Sequence, residues 1–254
     1  MSTITHSTPS SRTVVIVLDR LIYQVSRHWI LVFSLVVGCY VGLPWLAPVL
    51  MHLGWVDAGN AIYLLYSTQC HQMPQRSFFV FGPQGMYSLA LIQAAWKPTA
   101  DPMMLRQFVG NVQMGWKVAW SDRMVSMYSS LLPFAWLWSK LRPRIRPLAW
   151  WGFVLSLLPM ALDGGTHLVS DVLGGIGGGF RDTNAWLAVL THNALPVSFY
   201  VGDSLGSFNS WMRLLTGVFF AFGVVWFGFP YLQAAFDDLA RNLEDKFQRA
   251  GLRL

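Results

Sequence analysis

The segment 29-WILVFSLVVGCYVGLPWLAPVLM-51 contains no charged residue. A helix needs about 20 consecutive apolar residues to cross a hydrocarbon core about 30 Å thick. Further apolar runs occupy residues 124–139, 147–162 and 214–236. Because every backbone polar group in lipid must be satisfied internally, such runs restrict the chain to a helix bundle. The sequence therefore predicts an all-α, polytopic transmembrane bundle of about four spans.

Charge content excludes an ordinary soluble protein. Only 12% of the residues are charged and 54% are hydrophobic, whereas soluble domains carry about 25% charged residues. The net charge of +6 comes from short basic clusters beside the apolar runs, which is typical of topology signals. We expect the lipid bilayer as a partner and no nucleic acid. A chain of 254 residues is predicted to hold one transmembrane domain, over residues 29–236.

Basic residues predict the orientation. The strongest cluster is 140-KLRPRIR-146, between the second and third runs. Other basic residues precede the first run and follow the fourth; they are Arg12, Arg20, Arg27, Arg241, Lys246, Arg249 and Arg253. Cytoplasmic loops carry an excess of Lys and Arg. We therefore predict a multi-pass protein of the inner (plasma) membrane with both termini cytoplasmic, and with residues 52–123 and 163–213 facing outward.

The two termini and the first outer segment receive separate predictions. Residues 1–28 are predicted to form a cytoplasmic tail and an interfacial helix. Residues 237–254 are predicted to form an amphipathic helix, which lies on the inner membrane face or against a partner. The apolar stretches within residues 60–96 leave three alternatives open: a re-entrant hairpin, an additional pair of spans, or no entry into the membrane. Association with a second copy or with another membrane protein is also open.

Ionisable residues lie at the outer ends of the predicted spans. Arg123 lies 20 residues before Pro143 and Asp163 lies 20 residues after it, so an antiparallel hairpin would place them at the same depth. Arg213 begins the fourth run from the outside. Charges there are costly unless they are paired or hydrated. One interpretation is a structural ion pair; the other is an outward-facing polar cavity, in which two arginines and one aspartate would favour an anion.

A short polar motif gives the chain its resemblance to a known family. The segment 70-CHQMPQRSF-78 resembles the Cys-His-Gln-x-Pro-x-Arg-Ser-Phe signature of an uncharacterised family of bacterial and archaeal integral membrane proteins, known as a domain of unknown function. Further motifs occur in the same order; they are 121-SDRMVSMY-128, 163-DGGTH-167, 181-RDTN-184 and 212-MRLLTG-217. The resemblance covers residues 60–230 and implies a membrane-embedded fold without implying an activity.

Departures from the family pattern bear on metal binding. Ser121 and Met124 stand where the family has cysteines, and His167 stands where it has glutamine. The loss of two cysteines weakens a zinc or redox interpretation. Cys70, His71 and His167 remain as candidate ligands of a soft metal. The sequence does not identify a cofactor.

The candidate site residues follow from these motifs. We expect one outward-facing polar cavity lined by Cys70, His71, Gln72, Arg76, Arg123, Asp163, His167 and Arg213. The favoured function is binding or movement of an anionic small molecule or a lipid head group. The first alternative is a membrane enzyme that depends on a metal or on Cys70 as nucleophile with His71 as base. The second is an accessory or assembly subunit of a membrane complex.

Overall fold

The computed structural model describes residues 9–253, with side chains from residue 13 onward. It is mostly helical. In chain order the elements are α1 (Pro9–Arg27), α2 (Trp29–His52), α3 (Val56–Tyr66), a 3-10 turn (Pro74–Arg76), β1 (Ser77–Val80), α4 (Leu89–Ala95), α5 (Pro102–Leu105), β2 (Gly110–Asn111), β3 (Gly115–Ser121), α6 (Asp122–Leu141), α7 (Trp150–Gly174), α8 (Phe180–Thr183), α9 (Ala185–Leu190), α10 (Val197–Tyr200) and α11 (Phe208–Arg249). The predicted polar tail lies mostly outside these residues.

Within residues 9–253, three helices are long and apolar enough to cross a membrane. They are α2, α7 and α11, with 24, 25 and 42 residues. The 20-residue helix α6 is not among these three, so the count of four spans stays a prediction. Helix α11 packs along both α6 and α7, and α2 packs against α6. These four helices form the bundle.

Helix α7 has an inverted distribution of polarity. Its buried residues are Ser156, Asp163, His167 and Ser170, all of them polar. Its exposed large residues are apolar; they include Trp150, Trp151, Val154, Leu155, Leu158, Leu162, Leu168, Val169, Val172 and Leu173. In water this arrangement would leave an extensive apolar surface uncovered. It is the arrangement expected of a helix that faces lipid outside and polar neighbours inside.

Close contact between α6, α7 and α11 depends on glycines in α11. A Cβ atom on Gly217 would lie 2.1 Å from Ser126 Oγ and 2.9 Å from the Met127 backbone nitrogen. A Cβ atom on Gly223 would lie 1.7 Å from Ser156 Oγ. These glycines therefore allow α6 and α7 to approach the backbone of α11 more closely than any larger residue would permit.

A small sheet corrects the all-α prediction. Its three strands lie in the order β1-β3-β2 and pair antiparallel. The strand β3 contains one valine and two tryptophans, residue types that favour strands, and Trp120 in it is fully buried. The segment 78–96 therefore forms a strand, a turn and the short helix α4 instead of a helical hairpin. Whether residues 60–96 enter the bilayer stays a prediction.

The helices at the two termini pair with each other. Tyr23 Oη donates to Glu244 at 2.8 Å, and Lys246 Nζ lies 2.6 Å from Asp19 Oδ2. The segment after residue 236 is therefore a continuation of α11, and the partner of its apolar face is α1. The α-helical hydrogen bonds continue between α1 and α2, because the His28 nitrogen donates to the Gln24 carbonyl at 3.0 Å.

Candidate functional site

Nine ionisable residues meet where α6, α7 and α11 reach the sheet and the following loops. Five of them are candidate residues from the sequence: Arg76, Arg123, Asp163, His167 and Arg213. The other four, which the sequence interpretation missed, are Asp122, Asp171, Arg181 and Asp203. Every one of these nine side chains forms an ion pair or a hydrogen bond with another member. We call this set the polar network.

One part of the network is a chain of four ion pairs. Arg76 contacts Asp171 at 3.0 Å and Asp203 at 2.8 Å. Asp203 in turn contacts Arg213 at 2.6 Å, and Arg213 contacts Asp122 at 2.8 Å. The chain therefore links the 3-10 turn, α7, the loop before α11, α11 itself and the first residue of α6.

The second part centres on Asp163. Its Oδ2 atom lies 2.5 Å from Arg123 Nη2, and its Oδ1 atom lies 2.6 Å from Arg181 Nη2. The predicted pairing of Arg123 with Asp163 is thereby confirmed, with the addition of a second arginine on the same carboxylate. His167 Nε2 lies 3.3 Å from Arg181 Nη2. Because Asp163 and His167 are four residues apart on α7, they point to the same side of the helix.

The loop before α11 is held in place by two buried asparagines. Asn184 has a left-handed backbone with φ of 42°, a conformation that Asn tolerates better than most residues. Its Nδ2 donates to the carbonyls of Arg181 and Tyr200, both at 2.7 Å. Asn209 Nδ2 also donates to the Arg181 carbonyl at 2.7 Å. These bonds fix Arg181 relative to the start of α11.

Burial and ion pairing shift the pKa values of Arg76 and Asp203 in opposite directions. Both residues belong to the network and lie outside the helices of the bundle. Burial by itself raises the pKa of Asp203, but Arg76 and Arg213 more than offset burial and hold that pKa well below its usual value. Burial by itself lowers the pKa of Arg76, whereas Asp203 and Asp171 raise it above its usual value overall. Both residues are therefore charged throughout the physiological pH range.

Charge in the network is balanced overall and unbalanced locally. The four arginines and four aspartates cancel, with His167 counted as neutral, so the positive excess expected from two arginines and one aspartate is absent from the network as a whole. Around Asp163, however, two arginines meet one carboxylate. The chain of four pairs has the opposite imbalance, with three aspartates and two arginines.

Buried nitrogen atoms without hydrogen-bond partners lie on the residues around Asp163. They are Arg123 Nε, Arg181 Nε and His167 Nδ1. An arginine Nε–H can only donate, and a buried donor left unpaired costs about 1–3 kcal/mol. The Arg123 side chain is 21% exposed, whereas Asp163 is 1% exposed. Among the described residues this region is therefore a packed polar cluster that reaches the surface at Arg123; the outward-facing cavity stays a prediction.

The structure places three candidate residues, Cys70, His71 and Gln72, outside the ion pairs. Cys70 is buried in an apolar cluster with Tyr63, Tyr66 and Trp120, and its Sγ accepts a hydrogen bond from the Gln72 backbone nitrogen at 3.3 Å. His71 is exposed. Gln72 Nε2 donates to the Tyr63 carbonyl at 2.8 Å. The Cys-His-Gln motif therefore forms the bend that leads to Arg76.

A buried lysine secures this bend. Lys117 in β3 has no exposed surface, and its Nζ donates to the Gln72 carbonyl at 2.8 Å and to the Arg106 carbonyl at 2.7 Å. Burial lowers the pKa of Lys117 to about 7. The sequence interpretation missed this residue because a single lysine next to aromatic residues resembles an exposed strand position.

The predicted metal ligands are not assembled. Within residues 13–253, no three His, Cys, Asp or Glu side chains are grouped so that they could hold a metal ion. Cys70 and His71 point to different environments, and His167 belongs to the polar network. The structure therefore does not bring Cys70, His71 and His167 together, and metal binding stays a prediction.

The chain is similar in sequence to an uncharacterised archaeal protein. A protein of Methanocaldococcus jannaschii is 30% identical to the chain over 135 residues. The match covers 49% of this chain and 63% of that protein. No family model matches the chain, and no solved structure does. The comparison agrees with an uncharacterised membrane protein and assigns no activity.

Proposed function

We propose that this membrane protein binds an anionic group, a carboxylate or a phosphate, beside Asp163 at the outer end of the bundle. The observation that carries the proposal is the set of three unpartnered nitrogens, Arg123 Nε, Arg181 Nε and His167 Nδ1. A ligand oxygen would accept from the two arginines, and from His167 in the tautomer that carries its proton on Nδ1. The ligand is either a small free anion or the head group of a lipid.

Electrostatics support this location within the network. Two arginines around one carboxylate give the Asp163 group a net charge of +1. Arginine binds carboxylate and phosphate through several donors in a fixed planar arrangement. Because the surroundings are largely withdrawn from water, such hydrogen bonds would be stronger than at an exposed site.

The proposal includes four spans, with α6 as the second. Helix α6 is 20 residues long, which suffices for a core about 30 Å thick. Its contacts with α11 and α2 are those of a bundle member. With α6 counted, 140-KLRPRIR-146 and both termini fall on the cytoplasmic side, and the polar network falls on the outer side.

Ligand binding can be tested on purified protein in detergent. We expect inorganic phosphate or acetate to raise the melting temperature of the wild type, and Arg123→Gln to abolish the shift while the protein remains folded. The control is Arg241→Gln, which removes an exposed arginine on α11 and should leave the shift unchanged. Arg123 is chosen because it is the most exposed arginine around Asp163.

The source of the anionic group is distinguished by a second measurement. Native mass spectrometry after extraction from phosphatidylglycerol membranes would show a retained phospholipid if the ligand is a head group, and Arg123→Gln would lose it. A melting shift with phosphate and no retained lipid would indicate a small anion. If neither is found, the proposal is wrong and the network only holds the bundle together, as its overall charge balance would allow.

The enzyme alternative has less support. Cys70 is buried among apolar residues and His71 is exposed, so they do not form a nucleophile and base pair. We expect Cys70→Ser to leave anion binding unchanged.

A further inference from the structure

The outer face of α1 is apolar and unpartnered within the described chain. Val14, Leu18 and Leu21 are 52%, 50% and 59% exposed, and Val25 is half-buried. We call these four residues the α1 stripe. It lies opposite the side that packs on α11, which carries Asp19 and Tyr23. The neighbouring residues Val15, Val17 and Ile22 are also exposed; they widen the apolar surface.

In the predicted topology this stripe lies beyond the hydrocarbon core. Helix α11 has 42 residues, which is about 63 Å at 1.5 Å per residue and about twice the hydrocarbon core. Its charged part, from Asp237 to Lys246, is the part that pairs with α1. The paired helices therefore project beyond the bilayer, where exposed aliphatic side chains face water.

We propose that the α1 stripe is the contact between two copies of this protein. Two copies inserted in the same membrane have the same orientation, so a two-fold axis along the membrane normal would place their α1 helices parallel. The stripe has spacings of four, three and four residues, the repeat of a parallel coiled coil. A residue on such a seam meets its own copy, and the stripe contains no charge that would repel itself.

The same seam continues along the membrane part of α2. Residues Leu35, Cys39, Gly42 and Leu46 keep the alternating spacing, and all four are exposed. A Cβ atom added to Gly38 or Gly42 would meet nothing within 4 Å. The chain's own helices therefore do not use this pair of glycines, which would let the α2 backbones of two copies approach closely.

Cys39 provides a test that needs no added label. Mild oxidation of native membranes should yield a disulfide-linked dimer of twice 28.6 kDa. Cys39→Ser should abolish it, and Cys70→Ser should not, because Cys70 is buried. Leu158→Cys in the Cys39→Ser background places a thiol on the lipid-facing side of α7 and should give no dimer.

Introducing negative charge into the α1 stripe provides an independent test. The double variant Leu18→Glu/Leu21→Glu should reduce the crosslinked dimer several-fold and leave the melting temperature of the monomer unchanged. Asn242→Glu, on an exposed position of α11, is the control. Absence of a Cys39 dimer in membranes, together with a monomer by light scattering in detergent, would overturn the proposal. A dimer that persists in the double variant would overturn the role of the α1 stripe.

Discussion

Asp163 is the carboxylate that joins the two arginines in the second part of the polar network. It accepts from Arg123 and from Arg181 with different oxygens. Its removal therefore leaves both arginines without a carboxylate partner, whereas removal of Arg123 leaves Asp163 still paired with Arg181. The equal depth of the two residues in the hairpin does not show this difference.

We expect Asp163→Asn to destabilise the protein by about 3–5 kcal/mol, the cost of breaking a buried ion pair. Arg123→Gln should destabilise the protein clearly less than Asp163→Asn, because Arg181 still pairs with the Asp163 carboxylate. Chemical unfolding in detergent measures both, and the double variant should be less destabilised than the sum of the two. Strict additivity would contradict direct contact between Arg123 and Asp163.

The lowered pKa of Lys117 should make the stability of the protein depend on pH. Its pKa is lowered by burial to about 7 from the usual value near 10.4. Between these values the unfolded chain holds a proton that the folded chain lacks, so stability falls as the pH decreases from about 10 to 7. Below about 7 both states are protonated and the effect ends.

The matched variant is Lys117→Met, which keeps the length of the side chain and removes the titrating group. The wild type should lose about 1 kcal/mol of stability per pH unit relative to Lys117→Met between pH 9.5 and 7.5. Unfolding midpoints at the two pH values give this difference. Parallel pH profiles for the two proteins would show that Lys117 is protonated in the folded state across this range.

At the scale of the helices, α11 supplies the surface on which α6 and α7 pack. We expect Gly217→Ala to destabilise the protein by about 1–3 kcal/mol, the usual cost of overpacking, because the new methyl group would overlap Ser126 and the α6 backbone. Gly228→Ala is the control on the same helix, since nothing lies within 4 Å of its added Cβ. Thermal melts that showed equal effects would contradict the close approach of α6 and α11.

The sequence predicted those features that depend on the composition of a single segment or on spacing along one hairpin. The apolar runs gave the long helices, and equal spacing from Pro143 gave the contact between Arg123 and Asp163. The strand β3 was not recognised because it has only seven residues and runs directly into α6. Arg181 lies on the four-residue helix α8 and Asp203 on a loop. The path of both segments depends on distant partners such as Asn209, so spacing along the chain carries no information on their position.

The whole molecule is predicted to insert with its polar network outward. We expect Arg144→Cys to react with a membrane-impermeant maleimide only after the cells are permeabilised, because it lies in the basic linker. Met103→Cys, an exposed position on the opposite side, should react in intact cells. Both variants are made with Cys39 and Cys70 replaced by serine. Labelling of position 144 in intact cells would reverse the orientation and place the network inside.

At the scale of the whole molecule, the sequence did not distinguish apolar residues that pack inside the bundle from apolar residues that are exposed to lipid. In a helix that faces lipid, an apolar residue is equally suited to packing and to solvation by acyl chains. Cys39 and the Gly38–Gly42 pair suit either environment by sequence, and the structure leaves them open. The same ambiguity hid the pairing of α1 with the end of α11, since each is amphipathic by itself.

The long chain separation within the ion pairs has a consequence for biosynthesis. Asp122 pairs with Arg213, 91 residues later, and translation at about 5–20 residues per second separates the two by about 5–18 s. During that interval α6 and α7 have emerged while the arginine that neutralises Asp122 has not been made. The buried ion pair at the start of α6 can therefore form only after α11 has been synthesised. A nascent chain that stalls before Phe208 would contain the Asp122 carboxylate without the arginine that neutralises it.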